Sequence, residues 1–142
     1  MLVGEKGREL RGLQTAFHRV AMERPYATMF LAGQRACWLA IHDPLKRPCA
    51  GHWEAFHFVG RQEIRNHPPF FGLDPEIIML IEWDPRLGGP GCVEHHRRYD
   101  KHADAGPGSA LVVPEWALPA DVEECVEERG LQSIAERRFS AS

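Results

Sequence analysis

A three-layer α/β domain, with one central mixed sheet flanked by helices, is the fold class this sequence predicts. Three observations predict it. Apolar stretches of strand length alternate with amphipathic stretches of helix length. The segment EIIMLIEW at 76–83 is almost continuously apolar, as a strand covered on both faces would be. At 142 residues and 44% hydrophobic, the chain is long enough to close a single core over 1–142 without disulfide staples.

The elements follow in order α-β-β-α-β-α-β-α. Residues 5–24 place Leu10, Leu13, Phe17, Val20 and Ala21 on one helical face, and Pro25 stops that helix. Two short apolar segments, 26–32 and 36–42, joined through Gly33-Gln34, predict a hairpin that ends at Asp43-Pro44. The stretch 49–65 does not alternate cleanly, and His52, Ala55, Phe56 and Val59 share a helical face, so a helix is expected. The prolines of 66–75 make a loop, 76–83 is the central strand, and DPRLGGPG is a turn. Residues 92–103 predict a helix with Cys92, His95, His96 and Tyr99 on one face, and ALVV at 110–113 a second buried strand. LPADVEECVEERGL reads as a helix with a capping box from Asp121 to Glu124, an apolar stripe of Val122, Cys125 and Val126, and Gly130 as the residue that ends it. Residues 130–142 add a short last helix and tail.

Composition excludes several classes. No apolar run approaches the ~20 residues of a membrane span. The opening MLVGEKGRELRG has no apolar core behind its charges, so no secretory signal is expected, and the expected setting is cytoplasmic with no membrane partner. In such a setting 4 cysteines are thiols or ligands rather than disulfides. A net charge of -3 argues against gripping nucleic acid by bulk charge and leaves room for a local basic patch. The 8 histidines ask for an explanation.

Two segments carry candidate chemistry: Cys49-Ala-Gly-His52-Trp-Glu54 and Pro90-Gly-Cys92-Val-Glu-His95-His96. Cys92 and His95, three apart, share a helical face. With His52 they make three ligands for a tetrahedral zinc, leaving one position open, and His96 is the alternate third ligand. Zinc lowers the pKa of a bound water to about 7, and Glu54 is the nearby group able to move that water's protons.

These residues resemble the zinc-dependent cytidine and nucleobase deaminases, whose signature is H-x-E followed by P-C-x-x-C. The counterparts are His52-Trp53-Glu54 and Cys92-Val93-Glu94-His95, with His95 in place of the usual cysteine. The segments GHWE, DPRLGGPGCVEH and LVVPEWALP are similar to those of bacterial toxin-type cytosine deaminases, a group that includes enzymes acting on double-stranded DNA. The resemblance implies a cytidine-deaminase-like domain that converts cytosine to uracil in a nucleic acid, single-stranded or with its base flipped. Glu54 would be the acid/base, Trp83 a stacking wall, and Arg97, Arg98 and Lys101 the phosphate contacts. A toxin-like chain also implies an inhibitory immunity protein as partner.

Other readings stand beside it. Cys49-x-x-His52 with Cys92-x-x-His95 would make a closed Cys2His2 structural zinc module without catalysis. A degenerate deaminase fold would bind without turnover. Cys37-Trp38 resembles the nucleophile segment of papain-like viral proteases, with His95 or His102 as base, although Pro44 cuts short the helix such a nucleophile heads. Otherwise Cys37 and Cys125 lie in apolar stripes and read as core packing.

Overall fold

The computed structural model describes residues 4–31, 33–101 and 111–141. It is a mixed α/β protein whose strands form two separate two-stranded antiparallel sheets. The single central sheet expected from the sequence is not what the described strands build.

Helix α1 (Gly4–Glu23) runs as expected, with Phe17 and Ala21 buried and Pro25 opening a 3-10 turn beyond its end. Arg24 fastens that end to the rest of the molecule. Its guanidinium donates to the carbonyls of Gly88 at 2.7 Å and Arg86 at 2.9 Å, and to Asp121 at 2.9 Å. The hairpin is present but shorter than expected: β1 (Met29–Leu31) pairs with β2 (Gln34–Ala36), and Gly33 at φ +80° makes the turn. Trp38–His42 then coils into a 3-10 turn instead of extending the second arm.

The expected helix over 49–65 is instead β3 (Trp53–His57) followed by a short α2 (Arg61–Arg65). Its partner is β4 (Gly88–Cys92), which lies in the glycine-rich segment expected to be a turn. The two corrections have one cause. Glycines in a strand normally weaken it, but they also allow close approach. A Cβ on Gly89 would stand 2.7 Å from the Phe56 ring and 2.8 Å from the Phe58 ring, so the missing side chains make room for the core's aromatics.

The segment expected as the central strand is helix α3 (Pro75–Glu82). Asp74 caps it by accepting from the Glu76 N–H at 2.9 Å, and Pro75 occupies the first turn. Apolar continuity does not separate a strand from a helix segment, and here the cap decides. Ile77 is 45% exposed, so the run is not covered on both faces.

Helix α4 (Val93–Lys101) starts directly where β4 ends. Residues 111–113 form no strand. Their segment contributes a bridge between Pro114 and Ser140, and residue 110 lies outside the described residues, as does His102. Helices α5 (Ala120–Glu128) and α6 (Gln132–Arg138) close the chain. Pro119 is the N-cap of α5, so the expected Asp121–Glu124 capping box does not form. Among the described residues no helix is long and apolar enough to cross a membrane.

Candidate metal centre and adjoining cleft

The unit β3–β4–α4 positions two groups of polar side chains. The first is Cys37, Cys49, Cys92 and His95, whose ligand atoms all lie within 4.8 Å of one another. Cys37 follows β2, Cys49 sits on the loop before β3, Cys92 ends β4, and His95 is in the first turn of α4. That loop is clamped to the helix start, because Val93 N–H donates to the His52 carbonyl at 3.1 Å and Glu94 N–H to the Ala50 carbonyl at 3.3 Å. Gly51, at φ +80°, lies so close to Val93 that a Cβ there would meet it at 2.9 Å.

The separations suit a cation. Cys92 Sγ is 3.0 Å from His95 Nδ1, Cys49 Sγ is 3.6 Å from the same nitrogen, and Cys37 Sγ is 3.9 Å from Cys92 Sγ. Ligands at about 2.0–2.3 Å around a tetrahedral ion stand roughly 3.5–3.8 Å apart. The His95 ring is oriented from behind: its Nε2 donates to Asp43 Oδ2 at 3.2 Å, which turns Nδ1 toward the sulfurs. Asp43 is itself held by the backbone N–H groups of Leu45 and Arg47 at 3.0 Å and by the Arg47 guanidinium at 2.8 Å. A hydrogen bond from the Cys37 thiol, then those from His95, hold the Cys92 thiol below its ordinary value. The same contact and burial push Cys37 up. This Cys3His set has the donors and geometry to hold a metal ion.

The structure therefore brings Cys92 and His95 together, as the spacing suggested, but not His52. The His52 side chain is 76% exposed and faces Glu54 at 3.3 Å, and the fourth place in the quartet belongs to Cys37. Cys37 is buried in the core, as its apolar stripe suggests, and its sulfur also joins the quartet. Its signal was available, since three cysteines and one histidine complete a tetrahedral set, but the apolar stripe around Cys37 masked it. Cys125 is core, and burial pushes its thiol up to about 12.

The second group lines two adjoining clefts of about 430 and 360 Å³ that share His57, Arg61 and His96. His96 Nδ1 stands 2.7 Å from Glu54 Oε1 and its Nε2 3.1 Å from Asp100 Oδ2, so a carboxylate flanks each ring nitrogen. Burial alone would lower this imidazole, and the two carboxylates, Asp100 foremost, raise it. His57, at the end of β3, differs. It stacks on Phe17 at 4.2 Å and meets Trp83 edge-on at 4.8 Å, and burial holds it down at about 4. Its Nε2 lies 3.0 Å from the Glu82 carbonyl, which can only accept, so Nε2 carries the proton and Nδ1 the lone pair.

Trp83 ends α3 and is a cleft wall, with Arg61 over its ring at 4.9 Å. Arg97 and Arg98, the arginines expected to meet phosphates, both donate to Glu94, at 2.7 and 3.1 Å. His57 and Asp100 escaped the sequence reading because no motif spacing marks them. Compared with known proteins, the chain matches no family model, no curated protein and no solved structure.

Proposed function

We propose that the chain is a zinc-stabilised hydrolase acting on the phosphodiester backbone of a nucleic acid. In this reading the Cys37/Cys49/Cys92/His95 centre is structural and His57 is the general base in the cleft beside it. Three thiols and an imidazole suit zinc, and four protein ligands leave no position for water, which is the pattern of a structural site. This is the closed-site alternative, with Cys37 in the place expected for His52.

The observation that carries the catalytic half is the state of His57. Its tautomer is set by the Glu82 carbonyl, which leaves the Nδ1 lone pair to accept a proton, on a ring that lines both clefts. In the proposed step Nδ1 takes a proton from water as the oxygen bonds to phosphorus. The bond from phosphorus to the departing oxygen breaks, and that oxygen takes a proton from solvent. Arg61, exposed at the cleft and 3.7 Å from Glu82, would face the charge that builds on the phosphoryl oxygens.

Cytosine deamination in a three-layer deaminase domain, by contrast, calls for a metal-bound hydroxide beside Glu54 and an enclosed pocket for the base. Glu54 is engaged by His52 and His96, and the neighbouring clefts are open grooves that suit a strand lying across them. One assay separates the two. Zinc-loaded protein is incubated with labelled single- and double-stranded DNA and RNA, with and without added divalent cations, and both strand scission and uracil are scored. Scission that is lost in His57→Ala supports the reading; uracil formation that is lost in Glu54→Ala would replace it with deamination.

A further inference from the structure

Helix α1 sorts its charges into stripes. At 3.6 residues per turn, Arg8, Arg11, Thr15, His18 and Arg19 fall within about 100° of arc. Glu5, Glu9 and Glu23 gather on a neighbouring stripe, and Phe17 and Ala21 face the core. All five residues of the basic stripe are exposed. Among the described residues Arg8, Arg11 and Arg19 have no carboxylate partner, whereas Arg24, Arg47, Arg86, Arg97 and Arg98 are each tied to one.

The stripe also leads somewhere. A shallow groove lined by Arg11, Gln14, Thr15 and His18 shares Gln14 and His18 with the cleft that contains His57 and Arg61. We propose that this stripe of α1 is the surface that holds a nucleic-acid backbone and feeds it to the His57 cleft. The proposal rests on the hydrolase reading for the identity of the strand.

Three lines of chemistry favour this occupant. Arg8 to Arg19 spans about 16 Å of helix, long enough for three guanidiniums to meet successive phosphates of one strand. The stripe has no exposed aromatic or aliphatic anchor of the kind a protein partner needs at the centre of its interface. Segregation also lets a chain of net charge -3 present a local positive field. The role expected for Arg97 and Arg98 thus moves to a helix whose arginines have no competing partner.

The test is anisotropy titration of labelled 20-mers (single-stranded DNA, duplex DNA and RNA) with the zinc-loaded full chain. His57→Ala is the background throughout, so nothing is consumed. Arg8→Gln/Arg11→Gln/Arg19→Gln is expected to weaken binding at least ~10-fold at 0.1 M salt. The log–log salt slope should become shallower by about 2–3, from three lost contacts at roughly 0.7–0.9 each. The charge-matched control Lys46→Gln/Arg97→Gln/Arg98→Gln is expected to change both far less. Because the stripe is exposed, the α1 triple should melt like its His57→Ala background. The oligonucleotide bound best names the strand. Equal weakening by both triples, no effect of the first, or no binding of any oligonucleotide overturns the proposal. Binding through α1 without scission by the wild type would sink the hydrolase reading and leave this one standing. Scission with unchanged binding by the α1 triple would do the reverse.

Discussion

His95 and His96 are neighbours in the chain and belong to different chemistries. His95 is fully buried, its Nδ1 turned to three sulfurs and its Nε2 to Asp43. His96, one residue on and therefore about 100° around the helix, opens onto the clefts between Glu54 and Asp100. The same β3–β4–α4 unit thus serves a dry, thiol-rich centre on one side and a wet, carboxylate-lined groove on the other. In the proposed reading, soft ligands that close around a cation would hold the unit together, which frees the neighbouring face for groups that must meet water.

Breaking the metal side should have the larger effect. Structural zinc in small modules is worth ~10–16 kcal/mol, as much as the whole ~5–15 kcal/mol stability of an ordinary domain. Chelation, or Cys92→Ser, is therefore expected to abolish the cooperative melt seen by circular dichroism. A melt unchanged by metal removal would put the stability elsewhere.

Breaking the cleft side should leave the fold and remove the chemistry. His57→Ala is expected to lower strand scission by ~10²–10⁴ at unchanged zinc content. A parallel loss of zinc would mean that the two regions are not separable. Between these extremes, Asp43→Asn keeps all four ligands but disturbs the carboxylate behind His95. The expected result is a ~10–100-fold weaker affinity for zinc in a competition titration with a chromogenic chelator.

A smaller effect sharpens the comparison because it belongs to neither region. Asp84 is buried, which alone would raise its carboxyl, but hydrogen bonds from Arg86 and Arg129 hold it at about 2 against an ordinary 3.8. A carboxyl lowered on folding stabilises above its ordinary value, and that contribution is lost as pH falls through the folded value. About 2 kcal/mol should therefore disappear between pH ~5 and ~2. Asp84→Asn should flatten that limb of the unfolding free energy measured in urea.

Much of the frame was legible because its signals are local. Helix α1 announces itself by spacing and Pro25, α5 by its apolar stripe, and α6 by what remains after Gly130. The exchange of helix and strand at 49–65 and 76–83 had a non-local origin. Gly88 makes room for Phe17 and Ala21, and Gly89 and Gly91 for Phe56, so the strand depends on partners that no window of sequence contains together. The site divides in the same way. Cys92-x-x-His95 and Cys49 stand out by spacing. Cys37 is hidden in an apolar stripe, and His57 gains its meaning from a carbonyl 25 residues away.

The most direct test of the closed centre is zinc per chain, by elemental analysis, on wild type, Cys37→Ser and His52→Ala prepared identically. The account predicts about one zinc in the wild type and in His52→Ala, and a loss of zinc in Cys37→Ser. Zinc retained without Cys37 and lost without His52 would contradict it and restore the open site expected from the sequence.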